Sequence, residues 1–102
     1  MGFLDVKKEL TPETVIQRKP GLLFNEIDGE IVMLSVANSE YYGMDKVGSR
    51  IWELIENPVI LKDLINTLLN EYNVGKEQCS IETLTFLEKL WNKKLINVDF
   101  IN

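Results

Sequence analysis

The spacing of apolar positions along this chain changes rhythm at Asp45. Before it, "LLFNEI" (22–27), "EIVMLSV" (30–36) and "EYYGM" (40–44) are short strand-like runs separated by turn residues. Asp28-Gly29, between the first two runs, predicts a type I′ hairpin, because both central residues of that turn need positive φ. "ANS" supplies the next turn, so the three runs predict an antiparallel meander. Alternation along the third run puts Tyr41 and Gly43 on one face and Glu40, Tyr42 and Met44 on the other.

From Asp45 onward the period lengthens to that of a helix. Val47, Ile51, Leu54 and Ile55 share one stripe, Asp45 stands where an N-cap is expected, and Asn57-Pro58 ends the segment. A second helix over 60–72 carries Leu61, Leu64, Ile65, Leu68, Leu69 and Tyr72 on a core-facing stripe. The third is expected to start at Ser80 as N-cap, with Glu82 in its first turn and Lys93-Lys94 at its end, where the helix dipole favours each charge.

The predicted order is β-β-β-α-α-α, an α+β arrangement with three helices following a three-stranded antiparallel sheet. Three strands cannot cover three amphipathic helices on both faces, so the sheet is expected to keep exposed edges. Residues 1–13 read as a loose, flexible N-terminal arm, since Thr11-Pro12 breaks any helix, and 14–102 as a single domain. "TVIQRKPG" is a short extended piece ending in the Pro20-Gly21 turn, and the tail "LINVDFI" is free to pair or to pack.

Composition narrows the function. A formal charge of -5 and the absence of histidine count against phosphate binding, which needs a concentrated basic face, and remove the side chain best suited to proton transfer near neutrality. One cysteine, Cys79, can form neither an internal disulfide nor a zinc site, and a reducing, cytoplasmic setting fits it best. The N-terminal segment is too polar for a signal peptide and no run is long enough to span a bilayer.

Candidate chemistry is sparse. Cys79 next to the Ser80 cap has a helix N-terminus to lower its pKa but no histidine to act as base, so it reads as an incidental loop thiol. Glu53, Glu56, Glu82 and Glu88 fall on solvated helix faces, and Trp52 and Trp91 are packing residues. No phosphate loop, metal motif or catalytic constellation is present, so neither enzyme activity nor a cofactor is expected. A winged-helix DNA-binding regulator has the same elements, but the last two helices expose mixed charges rather than an arginine and lysine cluster. What remains is peptide recognition. "EYYGM" is suited to accept an extended peptide as one more strand, with Gly43 leaving a gap in side-chain cover.

The blocks "EIVMLSVANSEYYGMDKVGSRIWELIE", "LKDLINTLLNEYNV" and "TLTFLEKLWNKKLI" resemble, in order and spacing, the PqqD-like proteins, recognition elements that bind the leaders of ribosomally made, modified peptides. "YYGMDKVGSRIWELI" is most similar to the stand-alone members from lasso-peptide clusters. The resemblance implies a winged-helix-like fold without catalysis. It further implies a leader lying antiparallel along the third strand, in a cleft against the third helix. Its implied partners are the precursor leader and a transglutaminase-like cysteine protease, with an adaptor role for a radical SAM enzyme as the alternative. Carried onto this chain, the leader-binding residues are Glu40, Tyr41, Tyr42, Gly43 and Met44 on the strand. On the helix, Thr83, Phe86, Leu90 and Lys93 line the cleft, Leu84, Leu87 and Trp91 face the core, and Lys89 or Lys93 pairs with an acidic leader residue. Two positions depart from the family pattern: Ile60 replaces a Ser or Thr cap, and Lys94 stands where many members have Gly. An exposed edge strand also allows dimerisation.

Overall fold

A computed structural model describes residues 9–100. Its elements are β1 (Val15–Arg18), β2 (Leu23–Ile27), β3 (Glu30–Ser35), β4 (Glu40–Gly43), α1 (Lys46–Leu54), β5 (Val59–Ile60), α2 (Leu61–Glu71), α3 (Lys76–Asn92) and β6 (Ile96–Asp99). The expected meander is present as the antiparallel sheet β2-β3-β4, followed by three helices, so the chain is α+β. Asp28 and Gly29 both have positive φ, 52° and 81°, as a type I′ turn demands.

A second antiparallel sheet, ordered β5-β1-β6, joins the "TVIQRKPG" piece, the residues after Asn57-Pro58 and the tail. Val15 pairs with Ile60 on one side and with Asp99 on the other, so this sheet clamps the two ends of the domain together. It also supplies cover that the meander lacks: Ile16 and Ile96 are buried, and the Trp91 ring packs on Phe100 at 5.4 Å. Most of the predicted N-terminal arm, residues 1–8, lies outside the described residues. Its last part is held, because the Pro12 and Thr14 carbonyls accept from Lys62 and Leu61 N–H at the start of α2. Ile60, the N-cap of α2, gives no side-chain cap; these two carbonyls engage the helix there instead.

The core lies between the meander and the helices. Met33, Trp52, Ile55, Leu64, Leu68 and Leu87 are fully or almost fully buried, each worth about 1.5–3 kcal/mol of burial. Arg18 extends over the rings of Phe24 and Trp52, 5.0 and 5.3 Å from their centroids, and donates to the Trp52 carbonyl, tying β1 to α1. Arg50 holds α1 to α2 through a two-pronged pair with Glu71, both bonds 2.8 Å.

The third helix corrects two expectations. It starts at Lys76 with Gly75 as N-cap, not at Ser80, so Cys79 is a buried residue of the helix and not a loop thiol. Cys79, Thr83, Leu87 and Leu90 form the buried stripe, with Leu84 and Trp91 half-buried and Ile81 exposed. On its other side the Trp91 ring is covered by Phe100, just after β6. Val47 departs likewise from its predicted core stripe and is exposed.

Candidate functional site

The meander ends in an open edge. Among the described residues β4 pairs with β3 alone, in the register Val32↔Gly43, Met33↔Tyr42, Leu34↔Tyr41 and Ser35↔Glu40. Met44 N–H donates to the Ile31 carbonyl at 2.8 Å, which sets the phase of the ladder. Because hydrogen-bonded and non-hydrogen-bonded pairs alternate in an antiparallel ladder, Tyr42 and Glu40 direct their N–H and C=O toward β3. The N–H and C=O of Tyr41 and Gly43 therefore point outward along the free edge.

Ser49 closes the ladder where β4 runs into α1. Its hydroxyl accepts from Ile31 N–H at 2.8 Å and donates to the Met44 carbonyl at 3.2 Å, so the helix is pinned where the strand ends. Asp45 caps α1 as expected, accepting from Gly48 N–H at 2.7 Å. Gly48 lets the Phe86 ring lie on α1: a Cβ there would stand 3.3 Å from two ring carbons.

Between the β4 edge and α3 runs a groove of ≈ 430 Å³ lined by Tyr42, Gly43, Met44 and Asp45 on one side and Phe86, Lys89, Leu90, Asn92, Lys93 and Leu95 on the other. Of the residues assigned to the cleft from sequence, the structure brings together Tyr42, Gly43, Met44, Phe86, Lys89, Leu90 and Lys93. Glu40 joins them at the mouth, 3.2 Å from Lys93 Nζ. Thr83 is elsewhere. It is buried and lines a second cavity of ≈ 420 Å³ between the helices, which shares Asp45 and Phe86 with the groove. Tyr41 is also apart: its ring stands on the opposite face of the sheet, 75% exposed, and only its backbone meets the groove edge.

The polar end of the groove is a small network. Tyr42 Oη donates to Glu40 at 2.9 Å, Lys93 sits 5.7 Å from the centre of the Tyr42 ring, and Asn38 donates to Tyr42 Oη and to the Lys93 carbonyl. The Tyr42 hydroxyl first, and Lys93 second, hold the Glu40 carboxyl below the usual carboxylate range. Lys93 is thus already paired, whereas among the described residues Lys89 makes no ion pair and can meet an acid on a bound molecule. The C-terminus of α3 is finished by a Schellman motif, with Leu95 N–H on the Leu90 carbonyl, Lys94 N–H on that of Trp91, and Lys94 at φ 62°. Lys94 thus occupies a left-handed backbone position that glycine adopts without penalty.

Asp45, Asn92 and Leu95 also line the groove and were not picked out from sequence. Asp45 read only as a cap, and Leu95 enters through the turn after α3. Asn38 looked like an ordinary turn residue, and nothing in its local pattern shows that it reaches across to Lys93.

An apolar trough beside unpaired strand backbone has the features by which strand-adding domains accept an extended peptide. Comparison with known families agrees with the block order: the model for coenzyme PQQ synthesis protein D (PqqD) matches residues 30–96. The chain belongs to the PqqD family. The matched span runs from β3 into β6 and so takes in the β4 edge and all of α3, the two walls of the groove. No curated protein matches the chain in sequence. Among solved structures, the chain is similar to that described as TbiB1 in complex with the TbiA(beta) leader peptide. The two share 29% identity and superpose with a TM-score of 0.72, covering 84% of this chain and 99% of the other.

Proposed function

We propose that this PqqD-family chain binds the N-terminal leader of a ribosomally made precursor peptide as a strand added to β4, and presents it to the enzyme that processes that peptide. The observation that carries this reading is the outward-facing backbone of Tyr41 and Gly43 along a mostly apolar groove. An added strand pairs with those N–H and C=O groups and directs alternate side chains onto Phe86, Leu90 and Met44. Lys89 receives an acidic side chain of the peptide. The similarity to a structure solved with a leader peptide supports it. The chain contributes no chemistry of its own in this reading: it positions the leader for a lasso-pathway cysteine protease in the cytoplasm, with residues 14–102 acting as one winged-helix-like unit.

The test is fluorescence polarisation with the labelled leader of the precursor encoded beside this gene. Saturable binding is expected, weakened about tenfold by Phe86→Ala, a loss near 1.4 kcal/mol. Absence of saturation, or a Phe86→Ala variant that binds like the parent, rejects the assignment.

A further inference from the structure

Beyond the groove, the end of α3 meets β1 and β6 at an open depression of ≈ 560 Å³, lined by Lys19, Asn92, Lys94 and Asn97 and by the apolar side chains of Trp91 and Val98. Lys19 is held there by its own backbone, whose N–H donates to the Leu95 carbonyl at 3.0 Å. Two ammonium groups and two amides thus surround one hollow, and no carboxylate lines it, in a chain that carries 16 acids against 11 bases. Among the described residues neither Lys19 nor Lys94 makes an ion pair. Glu88, one turn before Asn92 on α3, and Asp99, two residues after Asn97 on β6, are the nearest acids along those elements, and both stand outside the lining. The dipole of α3 favours a cation at Lys94, but it gives no reason for Lys19, which comes from another element.

We infer, resting on the leader-binding reading, that this depression is a carboxylate subsite: it takes an acidic side chain of the bound peptide just C-terminal to the segment paired with β4. Position and direction come from the sheet and the groove. Asn92 lines both the groove and the depression, so a chain leaving the groove over Asn92 enters the depression directly. The strands β2, β3 and β4 pair antiparallel throughout, the slightly more stable ladder. A strand added to β4 in the same sense has its C-terminal side at Glu40, which Lys93 joins at 3.2 Å to the end of α3. Charge chooses the ligand. Lys93 is neutralised by Glu40, so beyond Lys89 in the groove the next unpaired ammonium groups are those of Lys94 and Lys19. Bonds from ammonium to carboxylate are stronger than those between neutral groups, and the amides of Asn92 and Asn97 add donors. A polyanion such as nucleic acid needs a wide basic face and is repelled by a net charge of -5, whereas one carboxylate needs only this local one.

Zero-length carbodiimide coupling locates the contact. With the leader of the precursor encoded beside this gene and the unaltered chain, mass spectrometry is expected to find a leader carboxylate joined to Lys19 or Lys94; links confined to other lysines, or none, overturn the subsite. Fluorescence polarisation measures its effect on affinity. Lys19→Gln combined with Lys94→Gln, with folding checked by circular dichroism, is expected to weaken leader binding about three- to tenfold at about 0.05 M salt. That difference is expected to vanish at about 0.5 M, where the Debye length falls to about 4 Å. A leader whose acids past the paired segment are replaced by their amides is expected to show the same loss on the unaltered chain and to be indifferent to the double variant. A leader with no acid there overturns the subsite, and so does displacement of the leader by duplex DNA, which assigns the lysines to nucleic acid. Saturable binding that Phe86→Ala weakens but the lysine substitutions leave unchanged overturns the subsite and keeps the leader reading. Absence of saturable binding at either salt rejects both.

Discussion

Substitution of Gly43 separates the proposed peptide-binding edge from the sheet that carries it. The N–H of Gly43 points outward, away from β3, because its neighbour Met44 is the residue that donates to Ile31. Proline at 43 therefore removes no hydrogen bond within the protein, and proline is tolerated on an edge strand when its nitrogen faces outward. It removes one bond to an added strand, worth about 0.5–1.5 kcal/mol, and sets a ring carbon where that strand must approach to within about 4.8 Å. The bond alone weakens binding about two- to tenfold, and the obstruction brings the expected loss to tenfold or more. Gly43→Ala is the control. Its Cβ points to the outer face and meets nothing within 4 Å, so the leader Kd is expected to stay within about twofold. Tyr42→Pro is the opposite case, since that N–H belongs to the β3 ladder, and by stranding its partner on β3 it is expected to destabilise the fold by about 1–3 kcal/mol. Fluorescence polarisation gives the affinities and urea melts the stabilities. A folded Gly43→Pro protein with unchanged affinity refutes strand addition on this edge.

Lys94→Gly is expected to stabilise the fold by about 1 kcal/mol, since a non-glycine residue at φ 62° carries a penalty that glycine does not; the thermal midpoint rises by about 4–8 °C. Ser49→Ala strands the buried Ile31 N–H and one acceptor at Met44 and is expected to cost about 1–3 kcal/mol in urea unfolding. Glu40 has a lowered pKa in the fold, so its favourable contribution is present above the ordinary carboxylate value and lost as pH falls through the depressed one. A carboxyl titration by NMR is expected to place Glu40 below 4.5, and Tyr42→Phe with Lys93→Met returns it toward that value.

Local signals carried much of this fold. Asp28-Gly29 specified its own hairpin because the turn's dihedrals are a property of two adjacent residues. The start of α3 was not legible. Ser80 is a good cap by type, yet burial of Cys79 and Thr83 extends the helix back to Gly75, which offers no side-chain cap at all. Tertiary packing outweighs a cap worth about 1 kcal/mol.

By itself the sequence determined the meander, the number of helices, the cap at Asp45 and a strand edge of the right composition for a peptide, since each depends on residues a few positions apart. Only the tertiary structure decided the rest. The β5-β1-β6 sheet joins residues as distant as Val15 and Asp99, a pairing that no local period encodes. The phase of the β4 ladder, fixed by Met44 and Ile31, decided that Tyr41 and Gly43 offer their backbone to the groove. That phase also sends the Tyr42 side chain into the groove and the Tyr41 ring out of it, because a strand alternates its side chains on one axis and its hydrogen-bonding groups on another.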